Sequence, residues 1–254
     1  MAADHLIELW EREASQPFSG WDFSYLRGRY QEEAPPWSYD AMAISALRGV
    51  SAVLDMGTGG GEKLLELADS LPAQTTATEG HPPNVAVARA NLEPQGIAVV
   101  EYDSESGQRM PFGDAVFPLL LNRHESFDAA EIGRVLSPGG RFLTQQVGAD
   151  NLAELRDLFG MRPRFLDVTL ANHRRHLTDA GLHVEFAQEW RGSAEFSDVG
   201  ALVYFLKAVP WEAPADFSVR RYREVLLSLH DRPEPLRLTI HRFALQVRRG
   251  PTEL

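Results

Sequence analysis

The sequence predicts an α/β protein: a doubly wound, mostly parallel seven-stranded sheet with helices on both faces. An aromatic-rich N-terminal cap and a helical insertion before the last strand complete it. Three observations carry this expectation. Apolar runs of strand length alternate with stretches of helical period through the middle of the chain. One run, Val53-Leu54-Asp55-Met56, passes straight into Gly57-Thr58-Gly59-Gly60-Gly61-Glu62 and then into the helical pattern of Lys63 to Ala68. Val116 to Leu121 is apolar without interruption, as in a strand buried on both faces of a parallel sheet.

With 254 residues, 44% of them apolar, the chain has enough material for one large domain with appendages. We expect a cap over 1–48 and a core over 49–254 that contains an insertion at 191–235. The absence of cysteine excludes disulfides, thiolate zinc sites and cysteine nucleophiles. A net charge of −11 disfavours a nucleic-acid partner, because the basic stretches Arg162-Pro163-Arg164 and Arg174-Arg175 are small. The first residues lack a basic region followed by an apolar one, and no apolar run is long enough to span a bilayer, so a cytoplasmic protein without membrane contact is expected.

Residues 1–14 read as a helix, with Leu6, Ile7 and Trp10 on one face. Residues 15–39 combine Pro17, Gly20, Gly28, Pro35 and Pro36 with Phe18, Trp21, Phe23, Tyr25, Tyr30, Trp37 and Tyr39, the composition of an ordered connection rather than a disordered tail. We expect it to fold over the ligand site, with Trp37 and Tyr39 nearest the chemistry. A short helix over 39–47 and a strand over 50–54 follow. After the glycine loop, Leu64, Leu65, Leu67, Ala68 and Leu71 form an apolar stripe that stops at Pro72.

The next strand, 75–78, ends in Glu79, and Gly80 lets the backbone turn beneath it. Pro82-Pro83 then opens a helix through Leu92, since prolines in a first turn lack only donors that would be orphaned anyway. Strands are expected at 97–100 and 116–121, followed by a helix over 129–136 capped by Asp128 with Glu131 three residues on. A strand at 141–147, helices at 151–159 and 170–180, and a strand at 182–190 come next. Two helical patterns, 198–209 and 218–230, fill the insertion. The last strand, 236–247, alternates through Leu236, Leu238 and Ile240 and then through Phe243, Leu245 and Val247, so its phase slips near His241, and a bulge or a strand beginning only there is expected.

The ligand of the glycine loop follows from charge. Gly57, Gly59 and Gly61 at alternate positions allow a sharp turn and close backbone approach to a ligand. A dinucleotide fingerprint would have glycine where Glu62 stands, and a carboxylate there opposes a pyrophosphate. The acidic-x-Gly-x-Gly-x-Gly pattern from Asp55 to Gly61 suits a ligand with an ammonium group and no phosphate. Glu79, at the end of its strand, is placed to accept hydrogen bonds from both hydroxyls of a ribose.

Asp55 to Gly61, Met110-Pro111-Phe112-Gly113-Asp114, and Arg134-Val135-Leu136-Ser137-Pro138-Gly139-Gly140 followed by Arg141-Phe142-Leu143-Thr144 together resemble the class I S-adenosylmethionine-dependent methyltransferases. The similarity is to the small-molecule group with a Rossmann-like core, of methyltransferase type 11, and it is strong over about residues 50–148. It implies that Asp55, Gly57, Thr58, Gly59 and Gly61 hold the methionyl part of S-adenosyl-L-methionine. It also implies that Asp103, with Ser104 beside it, meets the adenine amine. The segment Asn122-Arg123-His124-Glu125-Ser126 ends a strand at the carboxyl edge of the sheet and faces the transferring methyl group, with Asn122 in the cofactor site. It lacks the Asn/Asp-Pro-Pro-Tyr/Phe signature of enzymes acting on planar amide or nucleobase nitrogens.

His124 is the candidate catalytic base, because imidazole titrates near neutrality; its other reading is a residue that orients the loop. No metal is expected: His173 and His176 share a helix face, but a third ligand is missing and Arg174 and Arg175 would repel a cation. The expected function is methyl transfer to oxygen or nitrogen of a small-molecule acceptor. The alternatives are a non-catalytic cofactor-binding scaffold of the same fold and an NAD-dependent oxidoreductase, which Glu62 opposes. The insertion is expected to cap the acceptor site or to form a homodimer contact.

Overall fold

The computed structural model describes residues 2–19 and 22–251, so Gly20 and Trp21, part of the expected aromatic cap, lie outside the described residues. Nine α-helices and eight strands are described, in the order α1 (Ala2–Ala14), β1 (Tyr30–Glu32), α2 (Tyr39–Leu47), β2 (Ala52–Met56), α3 (Glu62–Leu65), β3 (Gln74–Glu79), α4 (Pro82–Leu92), β4 (Ala98–Glu101), β5 (Phe117–Arg123), α5 (Ala129–Val135), β6 (Leu136–Val147), α6 (Ala153–Phe159), α7 (Leu170–Asp179), β7 (Leu182–Phe196), α8 (Val199–Ala208), α9 (Arg223–His230) and β8 (Leu236–Arg249).

Several helix starts are written in the sequence. Ser38 caps α2 by accepting from the Ala41 N–H, Thr169 caps α7, and Asp198 caps α8. Asp128 caps α5 through the N–H groups of Ala130 and Glu131, but Glu131 does not close a capping box. Its carboxylate instead pairs with Arg134 at 2.6 Å and accepts the Met110 N–H, tying the approach to β5 onto α5. The helix after the glycine loop is shorter than its apolar stripe predicts. It ends at Leu65, and a 3₁₀ turn at Ala68–Ser70 brings the chain to Pro72.

The sheet has eight strands in the order β1-β7-β8-β6-β5-β2-β3-β4, not seven. The extra strand, β1, lies within the aromatic connection and pairs antiparallel with the far end of β7, Tyr30 opposite Phe196. It went unread because three residues carry no period. The segment β6-β5-β2-β3-β4 is parallel, and its carboxyl edge is where a ligand should sit.

Neither expectation for His241 holds: β8 has no bulge there and begins already at Leu236. The β7/β8 ladder runs unbroken from Phe186 opposite Gln246 to Phe196 opposite Leu236, and its only irregularity is between Val184 and Phe186. The slip in phase has another cause. Leu238 and Ile240 pack into one core with α1, α6, α8 and α9, whereas Phe243, Leu245 and Val247 pack into another with α5 and α7. One regular strand thus buries opposite faces in its two halves. The first of these cores holds the insertion and the N-terminal helix together, with Trp10 and Tyr204 buried within it. No helix among the described residues is long and apolar enough to cross a membrane.

Candidate functional site

The glycine loop leaves β2 at Met56, and its backbone follows the alternate-glycine pattern. Gly57, Gly59 and Gly61 have φ of 64°, 62° and 86°, the left-handed region that side chains disfavour, whereas Gly60 does not. The loop is pinned from several sides. The Thr58 N–H donates to Thr78 O at 2.9 Å, Asn91 of α4 donates to Gly60 O at 2.8 Å, and a Cβ on Gly61 would meet the Leu92 side chain at 2.6 Å.

Glu79 is buried behind the loop. Its carboxylate accepts the Gly59 N–H at 2.7 Å and the His81 N–H at 2.8 Å, so it braces the loop while keeping lone pairs for a ligand. Gly80 is required by a close approach: a Cβ there would lie 2.6 Å from Asp103 Cα. Asp103 itself is exposed and caps its own turn by accepting the Glu105 N–H. Ser104 donates to Glu125, and its hydroxyl lies 2.7 Å from that of Ser126. The predicted cofactor residues from Asp55 to Ser104 therefore converge on one notch at the carboxyl edge of the sheet.

Three buried side-chain polar atoms among the described residues lack a hydrogen-bond partner: Tyr39 Oη, Thr58 Oγ1 and Asn122 Nδ2. All three border that notch. Asn122 lies opposite Met56 on the neighbouring strand, and its Oδ1 is spoken for by Thr144 and Gln146, which leaves only the amide N–H groups. The Thr58 hydroxyl faces the Asp55 carboxyl, and the Tyr39 hydroxyl lies within range of Asp55 and Arg123. Burial pushes Asp55 up to about 7; Thr58 opposes the shift, Glu79 adds to it, and Arg123 opposes it. Burial similarly raises Glu125 to about 7, against the Ser104 hydrogen bond and with the charges of Glu79, Glu105 and Asp103. Orphaned polar atoms around paired carboxyls fit a polar, cationic ligand better than an apolar one.

The second half of the site lies beside the notch, on the α2 face of the sheet. Trp37 Nε1 donates to Gln145 Oε1 at 2.8 Å, and Gln145 Nε2 lies 3.1 Å from His124 Nε2. The indole has only a donor, so Gln145 must offer its oxygen to Trp37 and its amide N–H to His124. His124 is therefore the Nδ1–H tautomer, with Nε2 accepting. Its side chain is exposed, its only hydrogen bond among the described residues is the one through Nε2, and its backbone has φ of 69°. Burial of the loop within the fold, then the guanidiniums of Arg242 and Arg123, hold its pKa below the ordinary imidazole range, so the ring is neutral. Arg123 pairs with Asp40 at 3.0 Å and lies over the Tyr39 ring, while Arg242 pairs with Glu32 of β1 at 2.9 Å and donates to Asn151 at 2.6 Å.

Sequence reasoning missed Gln145, Gln146 and Arg242, and it placed Glu125 in the segment facing the methyl group without giving it a role. The signal for the missed three was present: Thr144-Gln145-Gln146 and His241-Arg242 are polar residues inside strand patterns, and such residues need buried partners. His173, by contrast, is taken up locally, with Nδ1 3.0 Å from Thr169 O and its ring edge-on to Phe127 and Phe243.

Residues 53–140 match the family model of a methyltransferase domain. Solved structures with the same fold include a candidate methyltransferase from Bacillus halodurans, with a TM-score of 0.58, 20% identity and coverage of 82% of this chain and 96% of that one. The YcgJ protein from Bacillus subtilis matches with a TM-score of 0.59, 18% identity and coverage of 84% and 98%. The [4+2]-cyclase SpnF matches with a TM-score of 0.54, 17% identity and coverage of 98% and 94%. No curated protein matches the chain in sequence. The architecture is the Rossmann-like fold of class I methyltransferases, with an added edge strand.

Proposed function

We propose that this chain is a class I S-adenosylmethionine-dependent methyltransferase that transfers a methyl group to an oxygen or nitrogen of a small-molecule acceptor, a reading supported by the methyltransferase-domain match over residues 53–140 and by the fold. The observation that carries the reading is the notch itself: the Thr58 hydroxyl set against the Asp55 carboxyl, Tyr39 Oη and Asn122 Nδ2 buried without a hydrogen-bond partner at the same strand ends, and Glu79 bracing the loop behind. Asp55, Gly57, Thr58, Gly59, Gly61 and Asn122 would hold the methionyl part, Glu79 and Gly80 the ribose, and Asp103 and Ser104 the adenine. The cofactor supplies a methyl group already activated on a sulfonium. The chain's own residues have to align the acceptor and keep water out.

Trp37, Gln145 and His124 form the acceptor wall. His124 offers its Nδ1–H as a hydrogen-bond donor; as a base it would first have to release Nε2 from Gln145. The [4+2]-cyclase on the same fold is a reminder that the fold alone does not name the reaction. A cytoplasmic setting goes with this reading.

Titration calorimetry with S-adenosylhomocysteine, S-adenosylmethionine and NAD tests the cofactor assignment. Binding of the two adenosyl ligands and none of NAD is expected, and the reverse would end the assignment. An acceptor screen that follows formation of S-adenosylhomocysteine tests the reaction, and a cofactor-binding protein that turns over no acceptor would point to the scaffold alternative.

A further inference from the structure

Glu125, one residue beyond the kink at His124, packs its side chain onto the glycine loop. A Cβ on Gly57 would lie 2.5 Å from Glu125 Cβ and Cγ and 2.6 Å from its Oε2. The other carboxyl oxygen accepts from Ser104 at the end of β4. The backbone that carries it is fixed by Gln146, whose Nε2 donates to Glu125 O at 2.9 Å. The carboxyl therefore spans from the first glycine of the loop to Ser104, just beyond the end of β4.

Its electrostatic setting is one-sided. Glu125 has no Lys or Arg partner among the described residues, and the charges acting on it are the like charges of Glu79, Glu105 and Asp103. Burying a carboxylate among others is unfavourable unless a cation comes to meet it. The backbone has nevertheless been shaped to receive it, since only glycine at 57 leaves it room.

On the cofactor assignment proposed above, we propose that Glu125 is the counter-ion for the positive charge of the methyl donor, selecting the sulfonium of S-adenosylmethionine over the neutral thioether of S-adenosylhomocysteine. Loss of that charge on transfer weakens the contact, so the same residue favours exchange of spent for fresh cofactor.

Titration calorimetry of both ligands into the wild-type protein and Glu125→Gln at pH 8 tests this. Glutamine keeps the length and the ability to accept from Ser104. We expect it to weaken S-adenosylmethionine binding about tenfold, the worth of one partly buried charge contact, while S-adenosylhomocysteine binding stays within about twofold. Glu125→Asp keeps the charge and should retain most of the preference, which also guards against a Gln variant that folds poorly. Equal losses for both ligands, or none for either, would reduce Glu125 to packing for the loop and overturn the proposal. A wild-type protein that binds neither ligand would instead overturn the cofactor assignment, and this inference with it.

Discussion

At the scale of single residues, the site is built from backbone conformations that ordinary side chains avoid. Three of them fall on glycines at 57, 59 and 61, which is why this part of the site was legible: alternate glycines after a strand have few other uses. The fourth falls on His124, and no residue type announced it. A left-handed conformation on a residue with a Cβ costs about 1 kcal/mol, though histidine tolerates it better than most. It turns the ring to Gln145. His124→Gly and His124→Ala both lose the ring and its hydrogen bond, but only glycine relieves the backbone. We expect the glycine variant to be the more stable by about 1 kcal/mol, or about 2–4 °C in a chain of this size, in thermal melts without ligand. Equal melting temperatures would mean that no strain is held at this turn.

At the scale of elements, the aromatic connection divides in two. Among the described residues, Phe18, Phe23, Tyr25 and Tyr30 pack against Tyr204, Phe205 and Phe196 in the core shared by α1 and α8, and the Trp37 and Tyr39 end reaches the candidate site. Trp37 reaches Gln145 and Tyr39 lies beside Asp55 and Arg123, so these two residues are the ones to vary in testing the acceptor wall proposed above. The rest of the segment was less legible, because aromatic content does not say which of two cores a ring joins. The β8 strand hid its function for a related reason: its phase slip marked a change of core, which periodicity alone reads as a bulge. Removing residues 1–36 would strip Trp10 from its core as well as uncover the site, so Tyr39→Phe is the sharper test of the α2 contribution. The Tyr39 hydroxyl is buried without a partner, and deleting it should leave the free protein as stable or more stable by up to about 1 kcal/mol. The same deletion should weaken S-adenosylmethionine binding by about fivefold, the worth of one neutral hydrogen bond. A variant that melts earlier yet binds as before would show the hydroxyl to be structural.

At the scale of the whole molecule, the parallel half of the sheet collects acids at its carboxyl edge, and that imbalance makes stability and binding respond oppositely to pH. Asp55 faces Glu79, Arg123, Thr58 and Tyr39; Glu125 faces Ser104, Glu79, Asp103 and Glu105. Both acids are raised to about 7, well above the ordinary carboxylate values of 3.8 and 4.5. In the window between those values the folded state holds protons that the unfolded state has released, so stability falls as pH rises and levels off above about 8. The acids held low by partners, such as Asp150 by Arg191 and Glu131 by Arg134, act the other way, but only at more acidic pH. His173, held low chiefly by burial, makes stability rise with pH up to the ordinary histidine range and has no effect beyond it. From pH 6.5 to 8 the two raised acids dominate, and the free protein should lose about 1 kcal/mol of stability, seen as a lower melting temperature. A cationic ligand reverses the sign, because it is held by the ionised carboxylates that the free protein disfavours. Over the same window S-adenosylmethionine should bind several-fold more tightly and release protons on binding, detectable as an enthalpy that depends on the buffer. S-adenosylhomocysteine carries the same amino group without the sulfonium, so subtracting its profile removes the amino group's own titration. If both ligands followed the same pH profile, the raised acids would be sensing the site's burial and not the charge of what it holds.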